Sequence, residues 1–360
     1  MDIVDSQVHI WAAETPERPW PPGRAKEAQK PYPISKETLL FQMDLAKVRR
    51  VVLVPPSWEG ERNGLALEAA RAYPDRFGVM GRLAIQNPEN RKLVPDWKAQ
   101  PGMLGMRFTF HNEHYRHFLT DGTADWLWPA AEKAGVPLMV LVPGALDHLD
   151  RIAGKHPGLK LVIDHVGISV RGKAPKVFED LPRVCALARH KNIAVKASGM
   201  PSLSAEPYPF RDLHPHIRTL VDAFGPRRVF WGTDLTRMPC TYYECVTLFT
   251  VHLPWLKGED LEWVMGRGVC ERLGWPLEPA EPDPPAASDS GRRSPIVVVV
   301  VVMMVVAGVR VARPPVMDPH PHGRLRSVRD GSERDHRTAG EKQRRQRDPE
   351  QSHGQPSLAG

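Results

Sequence analysis

Two short stretches carry the residue types that could do chemistry, and they lie far apart in the chain. Asp5-Ser6-Gln7-Val8-His9 opens it, and Trp231-Gly232-Thr233-Asp234 comes more than two hundred residues later. Each reads as the end of a buried strand. An imidazole and a carboxylate in one pocket can activate water and steady a developing oxyanion, so the pairing of His9 with Asp234 is the first functional expectation. A lone His at a strand end also serves as a hydrogen-bonded packing residue. Gln7 and His9 are two apart and so point the same way on a strand. The neutral amide of Gln7 is a poor zinc ligand.

His165 follows Leu161-Val162-Ile163-Asp164 and precedes Gly167. From a strand exit an imidazole can polarise a substrate carbonyl or hold a carboxylate; capping the next loop is the structural alternative. Asp234 is a natural general base for water, or else an N-cap for the segment that follows, a role that Pro239 close behind makes less convincing. Arg107, after Gly105-Met106, has few partners other than an anion if it faces inward. Arg82 occupies the equivalent place one strand earlier, and Lys196 and Arg237 would complete a basic ring at the same mouth. Arg82 and Lys196 are equally readable as structural. Together with Gln7 these cations point to an anionic small-molecule substrate, most simply one with carboxylates. No Gly-rich phosphate loop and no Gly-x-Ser-x-Gly elbow is present.

For such residues to meet, the chain between must bring strand ends together. Eight short apolar runs read as strands: Asp2–Val8, Arg50–Val54, Phe77–Leu83, Gly105–Phe108, Leu138–Val142, Leu159–Asp164, Ile193–Lys196 and Arg228–Trp231. Several are nearly continuous Val, Ile and Leu, as in parallel strands covered on both faces. Helical spacing lies between them at Ser35–Val48, Gly64–Tyr73, Trp126–Ala134, Leu146–His156, Val177–Arg189 and Pro215–Phe224, while His111–Thr123 reads as a long loop. Several helices run into Gly or Pro before the next strand, as in Ala134-Gly135-Val136-Pro137. Eight βα units in order predict an α/β (β/α)8 TIM barrel, with catalytic side chains at the C-terminal ends of its strands.

Composition divides the chain. All aromatic residues and all four cysteines lie at or before Trp275. We therefore expect one barrel domain over residues 1–278 and a low-complexity, disordered tail over 279–360. Within that tail Ile296–Val309 is an apolar, Val-dominated run of 14 residues, short of the roughly 20 a spanning helix needs. The clean end of the body at Leu273-Gly274-Trp275-Pro276 suggests a shifted frame or misplaced stop beyond it; a natural disordered tail and a membrane anchor are the alternatives. The net charge of +7 is spread along a mixed sequence, which excludes a nucleic-acid footprint. The cysteines show no CxxC spacing and the N-terminus enters a strand directly, so reduced thiols, no signal peptide and a cytoplasmic location are expected.

At these residues the chain resembles the amidohydrolase-related family of TIM-barrel hydrolases and decarboxylases, nearest the branch of 2-pyrone-4,6-dicarboxylate and sugar-acid lactonases. The resemblance is carried by Asp5-Ser6-Gln7-Val8-His9-Ile10-Trp11, Pro101-Gly102-Met103-Leu104-Gly105-Met106-Arg107, Val162-Ile163-Asp164-His165-Val166-Gly167, Val195-Lys196-Ala197-Ser198-Gly199 and Trp231-Gly232-Thr233-Asp234. Metal-dependent members use His-x-His after the first strand, His after the fifth and Asp after the eighth. Here Gln7 replaces the first His and the fifth strand ends Leu141-Val142-Pro143, so only His9 and Asp234 remain. The resemblance therefore implies a hydrolase with no metal or other cofactor. In that reading Asp234 deprotonates water, His9 and His165 polarise a lactone carbonyl, and Arg107 grips a carboxylate with Arg237. The alternatives are a metal-dependent amidohydrolase or decarboxylase holding one divalent ion such as zinc, with His111 as a recruited ligand, and a non-catalytic binding protein. No nucleic-acid or membrane partner is expected.

Overall fold

The computed structural model describes residues 1–277 apart from Asn112 and the side chain of Glu113. The expected tail from Pro279 lies outside these residues. The eight strands form one all-parallel sheet in sequence order: β1 Val4–Val8, β2 Arg50–Leu53, β3 Phe77–Gly81, β4 Met103–Thr109, β5 Leu138–Leu141, β6 Leu161–Ile163, β7 Ile193–Ser198 and β8 Val229–Gly232. This is the predicted TIM barrel, nearly closed, with helices in the crossovers. Every strand residue is buried, which is why the sequence reads as continuous apolar runs.

The barrel interior is layered. Its lower part is an apolar cluster to which every strand contributes, including Val4, Val52, Met80, Leu104, Met139, Val162, Ala194 and Phe230. The short helix Gly268–Leu273 closes it from below through Val269, Cys270 and Leu273. A larger cluster packs the outer faces of the strands against the helices. Val4 belongs to the inner cluster and Val8 to the outer one, although four residues of regular strand would put both on one face. The pairing of β1 with β2 is irregular between Asp5 and Val8, and that one-residue shift aims Gln7 and His9 inward.

The seam between β1 and β8 is joined by a side chain. Among the described residues the ladders run in order from β1 to β8, with none between β8 and β1. In its place the buried Asp5 carboxylate accepts from Thr233 N at 2.9 Å, Thr233 Oγ1 at 2.5 Å, Tyr242 OH at 2.8 Å and Gln7 N at 2.9 Å. One backbone bond, Asp234 N to Gln7 O at 2.8 Å, completes it. Gly232 is required here: a Cβ at that position would lie 2.5 Å from Ser6 Oγ and 3.2 Å from Asp5 Oδ1.

The helices correct the sequence reading in places. Ser35 caps Lys36–Ala46, its hydroxyl accepting from Thr38 N, and Gly64–Ala72, Leu127–Ala134, Leu146–Lys155 and His214–Phe224 follow the predicted ranges closely. The expected helix Val177–Arg189 is instead a turn at Lys176–Phe178, a short helix Leu181–Ala186 with Pro182 in its first turn, and a terminal 3-10 turn. His111–Thr123 is not all loop: Glu113–Arg116 is a helical turn continued by His117–Leu119. The helix after β8, Tyr242–Thr250, is capped by Thr241 and Glu244 in a reciprocal capping box. The Asp234 side chain makes no cap hydrogen bond.

Candidate active site

A cavity of about 570 Å³ opens at the C-terminal ends of the strands. His9, Arg107, His165, Asp234 and Arg237 all line it, with Thr109, Leu141, Ser57 and Trp58. His9 Nε2 stands 3.3 Å from Asp234 Oδ1, and His165 Nε2 stands 3.9 Å from Asp234 Oδ2. The two termini of the barrel therefore converge on one carboxylate. Asp234 (φ 53°) and His165 (φ 50°) both adopt the left-handed backbone conformation just past their strands. Such conformations are costly for non-Gly residues and cluster at functional sites. Here they fold both side chains back over the mouth.

Each group is held by a second one. His9 Nδ1 lies 2.5 Å from Val54 O; a carbonyl only accepts, so Nδ1 donates there and Nε2 faces Asp234. His165 Nδ1 lies 3.0 Å from Ser198 Oγ. Burial, outweighing the nearby Asp234 and Asp164 carboxylates, lowers His165 to about 4, so this ring is neutral at pH 7. Burial alone would raise Asp234, but the hydrogen bond and charge of His9, then His165 and Arg237, hold its carboxyl well below the usual carboxylate range. Arg107 donates from Nε to Asp164 Oδ2 at 3.0 Å and from Nη1 to Thr109 at 2.5 Å. Those bonds fix the plane of its guanidinium at the cavity wall, where it can meet an anion.

Three of the expected site residues are not on that wall, so the basic ring read from the sequence is corrected. Lys196 is fully buried beneath the cavity; its Nζ donates to Gln7 Oε1 at 2.7 Å and lies 2.8 Å from Asp164 Oδ1. Gln7 is likewise fully buried. Arg82 pairs with Glu61 at 3.1 Å and lines a separate cavity with Asn63 and Trp97. The cations that line the mouth besides Arg107 and Arg237 are Lys26 and Arg171.

Sequence reasoning missed other wall residues. Gln29, in the loop after β1, donates from Nε2 to Asp234 Oδ1 at 3.4 Å and accepts from Thr236. Arg24 in that loop donates to Tyr115 of the segment after β4 at 3.1 Å, so the two long segments meet over the mouth. Nothing in a loop's composition marks such residues. His111 lines the cavity with its Nδ1 buried and unpartnered, and burial lowers it to about 4.

The groups that meet Asp234 at the mouth are His9, His165, Gln29 and Arg237. Among the described residues no three His, Cys, Asp or Glu side chains gather as a metal-binding group. Gln7 presents an amide whose oxygen is already taken by an ammonium, and β5 offers Leu141. Cationic Lys196 takes charge into the same layer, where a metal would add more. No helix among the described residues is long and apolar enough to cross a membrane.

Comparison with known proteins places the chain in a family. Residues 4–295 match the family model described as amidohydrolase. The chain is 24% identical to the L-fucono-1,5-lactonase of Burkholderia ambifaria over 64% of its own length and 79% of that protein. It is also 24% identical to the 4-sulfomuconolactone hydrolase of Hydrogenophaga intermedia, over 64% of this chain and 73% of that one. Among solved structures, one from Acinetobacter baumannii named as a probable 2-pyrone-4,6-dicarboxylic acid hydrolase, with citric acid bound, superposes with a TM-score of 0.59 at 18% identity, covering 76% of this chain and all of that one. The 5-carboxyvanillate decarboxylase of Sphingomonas paucimobilis gives 0.54 at 16% identity, over 76% and 99%. These structural likenesses show the shared fold.

Proposed function

The chain belongs to the amidohydrolase family, and within it we propose a hydrolase that opens a carboxylate-bearing lactone with water and without a metal ion. The observation that carries this reading is the convergence of two imidazoles on one ionised carboxylate, His9 at 3.3 Å and His165 at 3.9 Å from Asp234, beside a buried guanidinium. The names of two related proteins, a sugar-acid lactonase and a muconolactone hydrolase, support the substrate class.

The residues divide the work as follows. A water hydrogen-bonded to Asp234 attacks the acyl carbon while its proton passes to the carboxylate. A carboxylate held this far down is a weak base, so it keeps the proton only briefly and hands it to the ring oxygen as the acyl C–O bond breaks. The product is the open-chain hydroxy acid. With the Ser198 hydroxyl donating to Nδ1, neutral His165 carries its hydrogen on Nε2 and donates it to the oxyanion. The Nδ1 hydrogen of His9 is committed to Val54, so we assign His9 mainly to holding Asp234. Arg107 and Arg237 grip the substrate carboxylate.

The test is a panel of pyrone, muconolactone and aldonolactone substrates, assayed with and without chelator. Turnover of a carboxylated lactone at a rate that chelation leaves unchanged is expected. Activity abolished by chelator and restored by zinc or manganese would replace this reading with a metal-dependent one.

A further inference from the structure

The helix that follows β8 starts with two devices, and one of them is made of sulfur. Thr241 and Glu244 form its capping box. Cys240, the residue before the cap, meets Cys245, the fourth residue of the helix, with the two Sγ atoms 3.5 Å apart. That is the place of a hydrophobic staple, which fixes how the chain enters a helix. A staple needs only apolar side chains, and Cys can serve as a small one. Two thiols at that place add a capacity that two alkyl groups lack, and the chemistry above does not use it.

The two sulfurs are unlike. Cys240 is half-buried, whereas Cys245 is 2% exposed. Their mutual hydrogen bond lowers the Cys240 thiol and raises that of Cys245, so the sulfur nearer to solvent ionises first. Cys245 sits on a pinned element: its carbonyl accepts from Trp231 Nε1 at 3.2 Å, and Tyr242 of the same helix donates to Asp5. Cys240 ends the segment that begins at Asp234. That segment is a hydrogen-bonded turn, with Arg237 N on Asp234 O at 2.9 Å and Met238 N on Leu235 O at 3.1 Å. The turn carries Arg237, whose Nη1 lies 3.6 Å from Asp234 Oδ2 and whose Nη2 donates to Val170 O at 2.7 Å.

We propose that Cys240 and Cys245 are a peroxide-sensitive modification site, whose disulfide draws the segment 234–240 toward the helix and weakens the grip of Arg237 on substrate. The Cys240 sulfur attacks one oxygen of hydrogen peroxide. The S–O bond forms, the O–O bond breaks, and the departing hydroxide becomes water with the proton that Cys240 shed. The Cys245 sulfur then attacks the sulfenic sulfur. The S–S bond forms, the S–O bond breaks, and the released hydroxide takes the Cys245 proton as a second water. Two thiols and one peroxide thus give one disulfide and two waters, and a small thiol reductant reverses the change by exchange. Bonding brings the sulfurs from 3.5 Å to about 2.0 Å. With the helix pinned, that shift falls on the turn that carries Arg237. The kinetic part of this inference rests on the lactonase reading; formation of the bond does not.

The test treats full-length protein with hydrogen peroxide and maps its peptides by mass spectrometry, beside lactone kinetics. Both cysteines fall in one tryptic peptide, residues 238–257. In the parent that peptide is expected to lose two hydrogens, about 2 Da, while Cys185, also half-buried, keeps its thiol. KM is expected to rise threefold or more on oxidation, with kcat within about twofold, and dithiothreitol should restore it. Cys240→Ser should abolish both the mass change and the kinetic response. Cys245→Ala removes the resolving sulfur, so Cys240 should there gain oxygen and form no cross-link; either variant suffices if the other does not fold. Oxygen added to Cys240 of the parent without a cross-link overturns the inference, and so does Cys185 reacting as fast as Cys240. A cross-link that leaves KM unchanged refutes the coupling to Arg237. A parent inactive on every lactone would refute the substrate reading while leaving the peptide map to decide whether the bond forms.

Discussion

The barrel seam holds two buried carboxylates, one beneath the other, and they behave in opposite ways. Asp5 is fully buried and Asp234 is 1% exposed. Asp5 accepts four hydrogen bonds, all from neutral donors, yet burial raises it from 3.8 to about 6. Asp234 has poorer, longer contacts, but they come from His9, His165 and Arg237, and its carboxyl is driven down. At equal burial the four neutral donors to Asp5 do not offset desolvation, whereas the hydrogen bond and charge of His9, with His165 and Arg237 beyond it, do so for Asp234 as it titrates. The lower carboxylate is thus suited to fastening strands. The upper one is kept ionised, open to the cavity and ready for water.

That contrast can be broken at either end. Asp234→Asn, which tolerates the left-handed backbone, is expected to lower kcat on the order of 10²–10⁴-fold with a thermal midpoint close to the parent's; a variant that keeps its rate would remove Asp234 from the chemistry. Asp5→Ala should do the reverse, costing about 3–5 kcal/mol of stability by chemical denaturation while KM at permissive temperature stays parental. A catalytic defect without loss of stability would erase the distinction.

Acid titration sharpens it further. Between 3.8 and about 6 the folded chain holds an extra proton on Asp5, so this group's stabilisation is full on the acid side and is lost as pH rises through 6. His165 is lowered from 6.5 to about 4, so its contribution is full above 6.5 and is lost as pH falls. The two oppose each other over pH 4–6. Asp5→Asn removes the first, and its unfolding free energy should fall on acidification more steeply than the parent's by about 1.4 kcal/mol per pH unit. The smallest effect is expected for Tyr242→Phe, which deletes one neutral donor to Asp5 at a cost of about 1 kcal/mol with turnover unchanged.

The legible part of the molecule was the part governed by periodicity and chain order. Apolar runs such as Leu138–Val142 could only be buried strands, and once eight of them alternate with helices, strand ends such as His9, His165 and Asp234 must gather at one mouth. What periodicity does not encode is direction after a strand ends. Lys196 and Arg82 sit where an inward side chain could face substrate, but Lys196 lies one layer too deep and Arg82 turns toward Glu61. Gln29 lies in a loop with no pattern, and its approach to Asp234 depends on folding 205 residues apart. The helix Val177–Arg189 failed at Pro182, whose effect on a first turn was readable in principle. The capping signal Thr241-x-x-Glu244 was also present and would have placed the helix after β8.

The seam also has a consequence for synthesis. Asp5 leaves the ribosome well before its partner Thr233, which lies 228 residues downstream. At ordinary elongation rates the first strand waits on the order of 10–50 seconds for that partner, with a carboxylate, an unpaired strand edge and the inner valines temporarily without a mate. We predict that nascent chains arrested before Thr233 emerges are digested readily by added protease, and that resistance arrives abruptly once Tyr242 has cleared the exit tunnel. Gradual acquisition of resistance, unit by unit, would show that the open barrel is already stable without its last stave.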